Sequence, residues 1–147
     1  MAIVSVKGLE SLGAMFAKLK NVPDDVLTSA LNEMAAVGEK AVRSTGEAYN
    51  IRDPESSVHI LDSITHSKPK LDEDGGVTYV RFAGSRTRGK KHPTKTRNTL
   101  IAFMQEYGAR GRPARPFVRL AAEQYADDMA APGEKILGDW AEKTFQG

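Results

Sequence analysis

The sequence has no cysteine, few aromatic residues and no long apolar run. The absence of cysteine excludes a disulfide framework, a thiol nucleophile and a cysteine-based zinc site. No apolar run approaches the roughly 18–20 residues that a membrane-spanning helix requires, and the first residues do not have the pattern of a signal peptide. Apolar residues make up 40% of the chain and aromatic residues 7%. We therefore expect a protein of a reducing cytoplasm, or of a particle assembled there, whose thin core is completed in part by neighbouring subunits.

The sequence also lacks the motifs of enzymes and metal sites. The three histidines, His59, His66 and His92, show neither i, i+4 spacing nor an HExxH motif, so a metal site has little support. The serines near His59 lack the GxSxG elbow of a hydrolase. The acidic turn at 72–74 lacks the ligand spacing of a calcium loop. We predict no catalytic residue, no metal site and no cofactor.

Apolar periodicity predicts two helices near the start of the chain. From Leu9 to Leu19, apolar residues step by three, four and three positions, which is one stripe of an amphipathic helix. Pro23 and two aspartates then open a longer helix, because proline and acids both suit a first helical turn. Apolar spacing extends this helix to Gly46, where we expect it to end. We predict that this second helix is the spine of the core.

The middle of the chain predicts an antiparallel hairpin. Residues 77–82, VTYVRF, are rich in β-forming side chains, and LDEDGG at 71–76 is a turn signal. We expect residues 63–68 to pair with residues 77–82. A lone hairpin is marginally stable, so a helix should cover one of its faces.

Residues 84–97, GSRTRGKKHPTKTR, form a basic run without any acid. Among its cations are Arg86, Arg88, Lys90 and Lys91. The run has no apolar residue larger than proline, which predicts an exposed, flexible loop. Its cations also suit a phosphate backbone, an acidic partner ring or a channel that DNA crosses, although no aromatic residue is interleaved for base stacking. These interpretations all remain open.

Residues 100–122, LIAFMQEYGARGRPARPFVRLAA, contain two helical segments and a connector. Leu100, Ile101, Met104 and Tyr107 predict one apolar helical face. Gly108 should end that helix, because glycine tolerates positive φ at a helix end. Pro113 and Pro116 predict a stiff, extended connector. Phe117 should be the buried anchor that opens the next helix.

The connector and the helix after it carry four arginines: Arg110, Arg112, Arg115 and Arg119. Arginines on a stiff backbone lose less entropy on binding and suit bidentate contacts with carboxylates. We predict that they form salt bridges between subunits or rings, with some pairing inside the monomer.

EYGARGRPARPFVRLAA resembles the E-(aromatic)-G-T … P-A-R-P-F-(L/V)-R-P-A segment of a family of phage tail components. These are the neck and tail-completion proteins of long-tailed bacteriophages and prophages. GLESLGAMFAKL is similar to the G-L-x-x-L opening of that family, and Thr45-Gly46 and HILDSI match its Thr-Gly and L-x-x-S-I positions. Ala109 stands where the family usually has threonine, and Leu120 where it usually has proline. The resemblance covers roughly residues 6–128.

We predict one domain over residues 1–147 with an α+β fold: two N-terminal helices, a small antiparallel β-sheet with long loops, and C-terminal helices packed on the sheet. The resemblance implies a structural protein of the virion neck or tail end, present in the host cytoplasm during assembly. It would complete or cap the tail tube and join it to the head connector or stopper protein as a homo-oligomeric ring, a hexamer. Its partners would be other copies, the major tail tube protein, the head connector and, in the lumen, DNA. The alternative is a nucleic-acid-binding protein that uses residues 84–97, and a small hydrolase is a third, less favoured interpretation.

Overall fold

The computed structural model describes residues 22–51, 60–73, 75–87 and 94–146. These residues form four α-helices, one 3₁₀-helix (Ile60–Ser63) and six strands. The helices are α1 (Asp24–Ala48), α2 (Asn98–Tyr107), α3 (Phe117–Gln124) and α4 (Ala126–Gln146). The strands are β1 (Ile64–His66), β2 (Lys70–Asp72), β3 (Gly75–Val77), β4 (Val80–Phe82), β5 (Ser85–Thr87) and β6 (Lys95–Arg97). The predicted α+β class is confirmed, and the helix predicted between Leu9 and Leu19 lies outside the described residues.

Helix α1 starts directly after Pro23, with Asp24 and Asp25 in its first turn, where carboxylates complement the positive end of the helix dipole. It continues to Ala48, so the prediction that Gly46 ends it is wrong. Gly46 is buried inside the helix, and a Cβ there would lie 2.5 Å from Leu61 Cδ2 and 3.3 Å from Phe117 Cδ2. The glycine is therefore required for close packing and not for helix termination.

Strand β1 pairs antiparallel with β4, with Ile64 opposite Phe82 and His66 opposite Val80. This confirms the predicted pairing of the two segments. The chain between them forms a second hairpin, in which β2 pairs with β3. The turn signal at 71–76 marks the tip of this second hairpin.

The basic run has an ordered base. Strands β5 and β6, at its two ends, pair antiparallel, with Ser85 opposite Arg97. The prediction of a flexible loop is wrong for these ends, because a two-stranded ladder satisfies backbone groups without burying apolar side chains. Arg88, Lys90 and Lys91 lie outside the described residues.

Two polar side chains fasten the start of α2 to the sheet. Asn98 Nδ2 donates to the Ala83 carbonyl at 2.7 Å, and Thr99 Oγ1 donates to the Phe82 carbonyl at 3.1 Å. Neither Asn98 nor Thr99 caps the helix, because the capping position is Arg97 and has no side-chain cap. The two hydrogen bonds fix the angle at which the chain leaves β4 and the β5–β6 hairpin.

The core lies between α1, the β1–β4 pair and the helices that follow. Its fully buried large side chains are Phe117, Ile51 and Ile60. Helices α3 and α4 pack mainly on α1, while α2 lies against β4, β6 and the 3₁₀-helix. Pro132 does not interrupt α4, which runs through it, and the buried Gly133 beside it packs closely against Met34. None of the helices in the described ranges is long and apolar enough to cross a membrane.

Candidate protein–protein interface

Phe117 fixes the start of α3 in the core. Its side chain is fully buried, which confirms the burial predicted from the sequence. Its ring packs against Phe82 in an edge-to-face arrangement, with centroids 5.8 Å apart. The buried Thr45 hydroxyl lies 2.8 Å from the Phe117 carbonyl and donates to it, so α1 holds the backbone of this residue as well as its side chain.

Gly108 ends α2, as predicted, and opens a tight turn. Its φ is +83°, and a Cβ there would lie 3.0 Å from the Arg112 carbonyl oxygen, so glycine is required on two grounds. Ala109 and Arg112 exchange two backbone hydrogen bonds of 3.2 and 2.8 Å. Gly111, the third residue of this turn, has φ +78°, the conformation that a type II turn needs there.

The second half of the connector is also tied to the body of the protein. The Arg115 N–H donates to the Gln105 carbonyl of α2 at 2.7 Å. Pro116 has φ −77° and ψ 62°, the values of an inverse γ-turn, and the Phe117 N–H accordingly donates to the Arg115 carbonyl at 2.8 Å. Pro113 lies exposed before these contacts. The connector is therefore held by hydrogen bonds as well as stiffened by its prolines.

Sequence reasoning missed the role of Glu106. Its two carboxylate oxygens accept the Val118 N–H at 2.8 Å and the Arg119 N–H at 3.0 Å. A carboxylate at this place satisfies N–H groups that have no partner within the helix and complements the helix dipole. Glu106 thus joins the end of α2 to the start of α3 across the connector. The sequence does show the glutamate of EYG, but it cannot be recognised there as a helix cap. A cap supplied by the preceding helix lacks the fixed three-residue spacing of a capping box.

The four arginines of the connector and α3 are all exposed: Arg110, Arg112, Arg115 and Arg119. In the described part of the chain none of them forms a salt bridge, and the ion pair found there joins His66 to Glu39. The predicted pairing inside the monomer is therefore wrong for the described residues. Arg86 differs, since it is partly buried on β5 and has an interaction partner. The connector and the start of α3 hold four guanidinium groups on a fixed backbone, where an outside carboxylate can reach them.

Helix α2 is apolar on two sides. Ile101 and Ala102 are buried in the core, whereas Leu100, Phe103 and Tyr107 are 51%, 57% and 70% exposed. Residues three and four positions apart share one helix face, and the Phe103 and Tyr107 rings contact each other, with centroids 4.7 Å apart. We call Leu100, Phe103 and Tyr107 the α2 stripe. The prediction of one apolar face that includes both Ile101 and Leu100 is wrong, because Ile101 is buried in the core and Leu100 is exposed to solvent.

The α2 stripe is large enough to indicate a binding surface. Given about 150–250 Å² for a large aromatic side chain, the exposed fractions correspond to roughly 350 Å². Apolar patches of about 300–600 Å² on a protein surface are often functional. Tyr107 directly precedes Gly108, so the stripe is continuous in sequence with the arginine-bearing connector.

The small net charge of +2 conceals a strong segregation of charge along the chain. Residues 81–119 hold eleven Lys and Arg and a single acid, a net charge of +10. The other residues hold ten Lys and Arg and eighteen acids, a net charge of −8. That single acid is Glu106, whose oxygens accept backbone N–H groups. The region around α2 and the connector is thus basic, and the long helices that carry it are acidic.

In the ranges that the structure covers, no group of three or more histidine, aspartate or glutamate side chains is placed to hold a metal ion. A scan against protein-family models and searches of curated proteins and of solved structures found no match. The similarity to phage tail components therefore depends on the motif residues alone.

Proposed function

We propose that this chain is a structural component of a long-tailed phage or prophage particle, which completes or caps the tail tube and joins it to the head connector as a ring of copies. The observation that carries the proposal is the α2 stripe, beside four exposed arginines on the fixed connector and the start of α3. Exposed aromatic residues with arginine are the side chains enriched in protein–protein interfaces. The motif resemblance supplies the kind of particle and the number of copies, six.

The connector suits this role because its backbone is ordered before any partner binds. Hydrogen bonds from Arg115 to Gln105 and from α3 to Glu106 hold it to both helices. A surface that is already ordered loses less conformational entropy on association. Its arginines give specificity and faster encounter with acidic partner surfaces. Function then consists of assembly through complementary surfaces, with no bond made or broken, and the partners are other copies, the tail tube protein and the head connector.

The test uses the virus that encodes the chain, with this gene interrupted. Electron microscopy of the lysate should show heads and tails that are complete but not joined, and the unaltered gene supplied in trans should restore joined particles. Phe103→Ser should fail to restore them. Tyr79→Ser, which changes an aromatic residue of similar exposure (48%) outside α2, is the matched control and should succeed. Normal particles in the absence of the protein would overturn the proposal.

Nucleic-acid binding through residues 84–97 is the second candidate. One observation favours it: Lys95 and Arg97 are exposed on the paired β5–β6 hairpin, which holds their backbone in place. Fluorescence anisotropy with duplex DNA over a series of salt concentrations tests it, because phosphate contacts weaken steeply as salt rises. Salt-sensitive binding that Lys95→Ala and Arg97→Ala abolish would support this candidate. A lack of binding at low salt would exclude it.

A further inference from the structure

We infer that the α2 stripe and the arginines of the connector bind the acidic outer face of helix α4 in a second copy of this chain. The inference relies on the proposed function only for the statement that copies associate. It adds which two surfaces meet.

The acidic surface is the solvent side of α4. Its exposed carboxylates are Asp127, Asp128, Glu134, Asp139 and Glu142. By helical spacing Asp128, Asp139 and Glu142 point away from the buried Ala130 and Ala141, which face the core. Asp127 and Glu134, three and four positions from Ala130, lie at the edge of the buried side. Only two lysines accompany them on this helix, and none of the five carboxylates forms a salt bridge within the described ranges. Each copy thus carries an unneutralised basic surface and an unneutralised acidic one.

The distribution of charge selects the kind of contact between copies. A two-fold contact through the connector would place arginines against arginines, and like charges brought together at an interface cost several kcal/mol. A head-to-tail contact instead places the basic surface of one copy on the acidic surface of the next. Such contacts close into a ring when the rotation between successive copies permits. Charge complementarity therefore points to a second copy, bound head to tail.

The outer face of α4 also has room for aromatic rings. Ala131 is exposed, and Gly138, seven positions later, lies on the same face by helical spacing. A Cβ built at Gly138 meets nothing within 4 Å. Ala131 and Gly138 are therefore small residues two turns apart on this face, with the flexible side chains of Glu134 and Lys135 between them. Phe103 and Tyr107 can pack there while the arginines contact the acids on either side.

Disulfide trapping tests the contact directly, because the chain has no cysteine of its own. One preparation carries Leu100→Cys and the other Gly138→Cys, and the two are mixed under mild oxidation. We expect a covalent dimer in several-fold higher yield than in the control mixture of Leu100→Cys with Tyr79→Cys. Trapping accumulates even a short-lived contact, so a yield no higher than the control overturns the inference, whether or not the free protein is monomeric.

Charge reversal provides a second test that does not depend on cysteine chemistry. Arg110→Glu with Arg112→Glu should lower association of copies, measured by sedimentation, on the order of tenfold. Asp139→Lys with Glu142→Lys should do the same. The chain with all four changes should recover in part, because the two new glutamates of one copy can then pair with the two new lysines of the next. No recovery, or loss of DNA binding as the only effect, overturns the inference.

The outcomes separate the inference from the proposed function. Copies that form rings and join heads to tails, but give no trapped dimer, would refute the α2–α4 contact and leave the proposed function standing. A trapped dimer in a protein that the virus does not need for joining would refute the proposed function and leave the contact standing.

Discussion

Replacing Phe117 by alanine should lower the free energy of unfolding by about 3–5 kcal/mol. The side chain is fully buried, and its ring contacts Phe82 and lies close to the backbone of Gly46. The cavity left behind cannot collapse easily, because part of its wall is the backbone of α1. About 0.5–1.5 kcal/mol of the loss should come from the aromatic pair. A domain has about 5–15 kcal/mol of stability in all, so the variant should retain only part of it.

Urea unfolding followed by circular dichroism measures this loss, and the chain offers a matched control. Phe103→Ala makes the same substitution at a side chain that is 57% exposed, and it should change the free energy of unfolding by less than about 0.5 kcal/mol. A double-mutant cycle with Phe82→Ala should give a coupling of about 0.5–1.5 kcal/mol. Equal losses for the two phenylalanines would refute the assignment of Phe117 as the anchor of α3.

Glu106→Ala should cost about 0.5–2 kcal/mol in urea unfolding, the size of a lost helix cap, and Glu106→Gln, which keeps one acceptor oxygen, should cost less; equal costs would argue against capping. Gly46→Ala should cost about 1–3 kcal/mol, because the added Cβ overlaps a core leucine, and an unchanged melting temperature would contradict this. Arg112→Ala and Arg115→Ala should each change stability by less than about 0.5 kcal/mol and yet fail to restore joined particles. Variants of these arginines that unfold, but join normally once refolded, would leave the connector with an internal role only. Replacing residues 88–93 by the dipeptide Asn-Gly, which with Thr94 leaves a three-residue hairpin loop, should also change stability by under about 0.5 kcal/mol, because β5 and β6 can still pair; loss of soluble protein would contradict this.

The parts of the fold that local chemistry determines could be predicted from the sequence. Pro23 and two acids mark the start of α1, because their preference for a first turn does not depend on distant residues. Gly108 ends α2 for a similar reason, since a positive φ is strained for other residues. The pairing of β1 with β4 followed from β-forming side chains on both sides of a turn signal.

The parts that distant contacts determine could not be predicted. By local rules Gly46 and Pro132 both suggest a helix end. In the structure Gly46 packs against Leu61 inside α1, and Gly133, next to Pro132, packs against Met34 inside α4, so neither helix ends there. Tertiary packing commonly overrides local preference in this way. Glu106 caps a helix that begins beyond a turn and two prolines, so no spacing in the sequence could connect the carboxylate with the N–H groups it accepts.

The exposure of the α2 stripe could not be predicted for a different reason. Helical periodicity reports a contrast between an apolar face and a polar one, and α2 has little contrast, because it is apolar both toward the core and toward solvent. A helix that is apolar on both sides is ordinarily buried, so the exposure of one apolar side of α2 points to a binding surface. Glu106 and the Arg115 N–H fix this helix relative to the connector, so the stripe and the arginines move as one body. A partner that covers the stripe therefore meets the arginines in a set arrangement, and its own surface must offer apolar room and carboxylates together, as the outer face of α4 does.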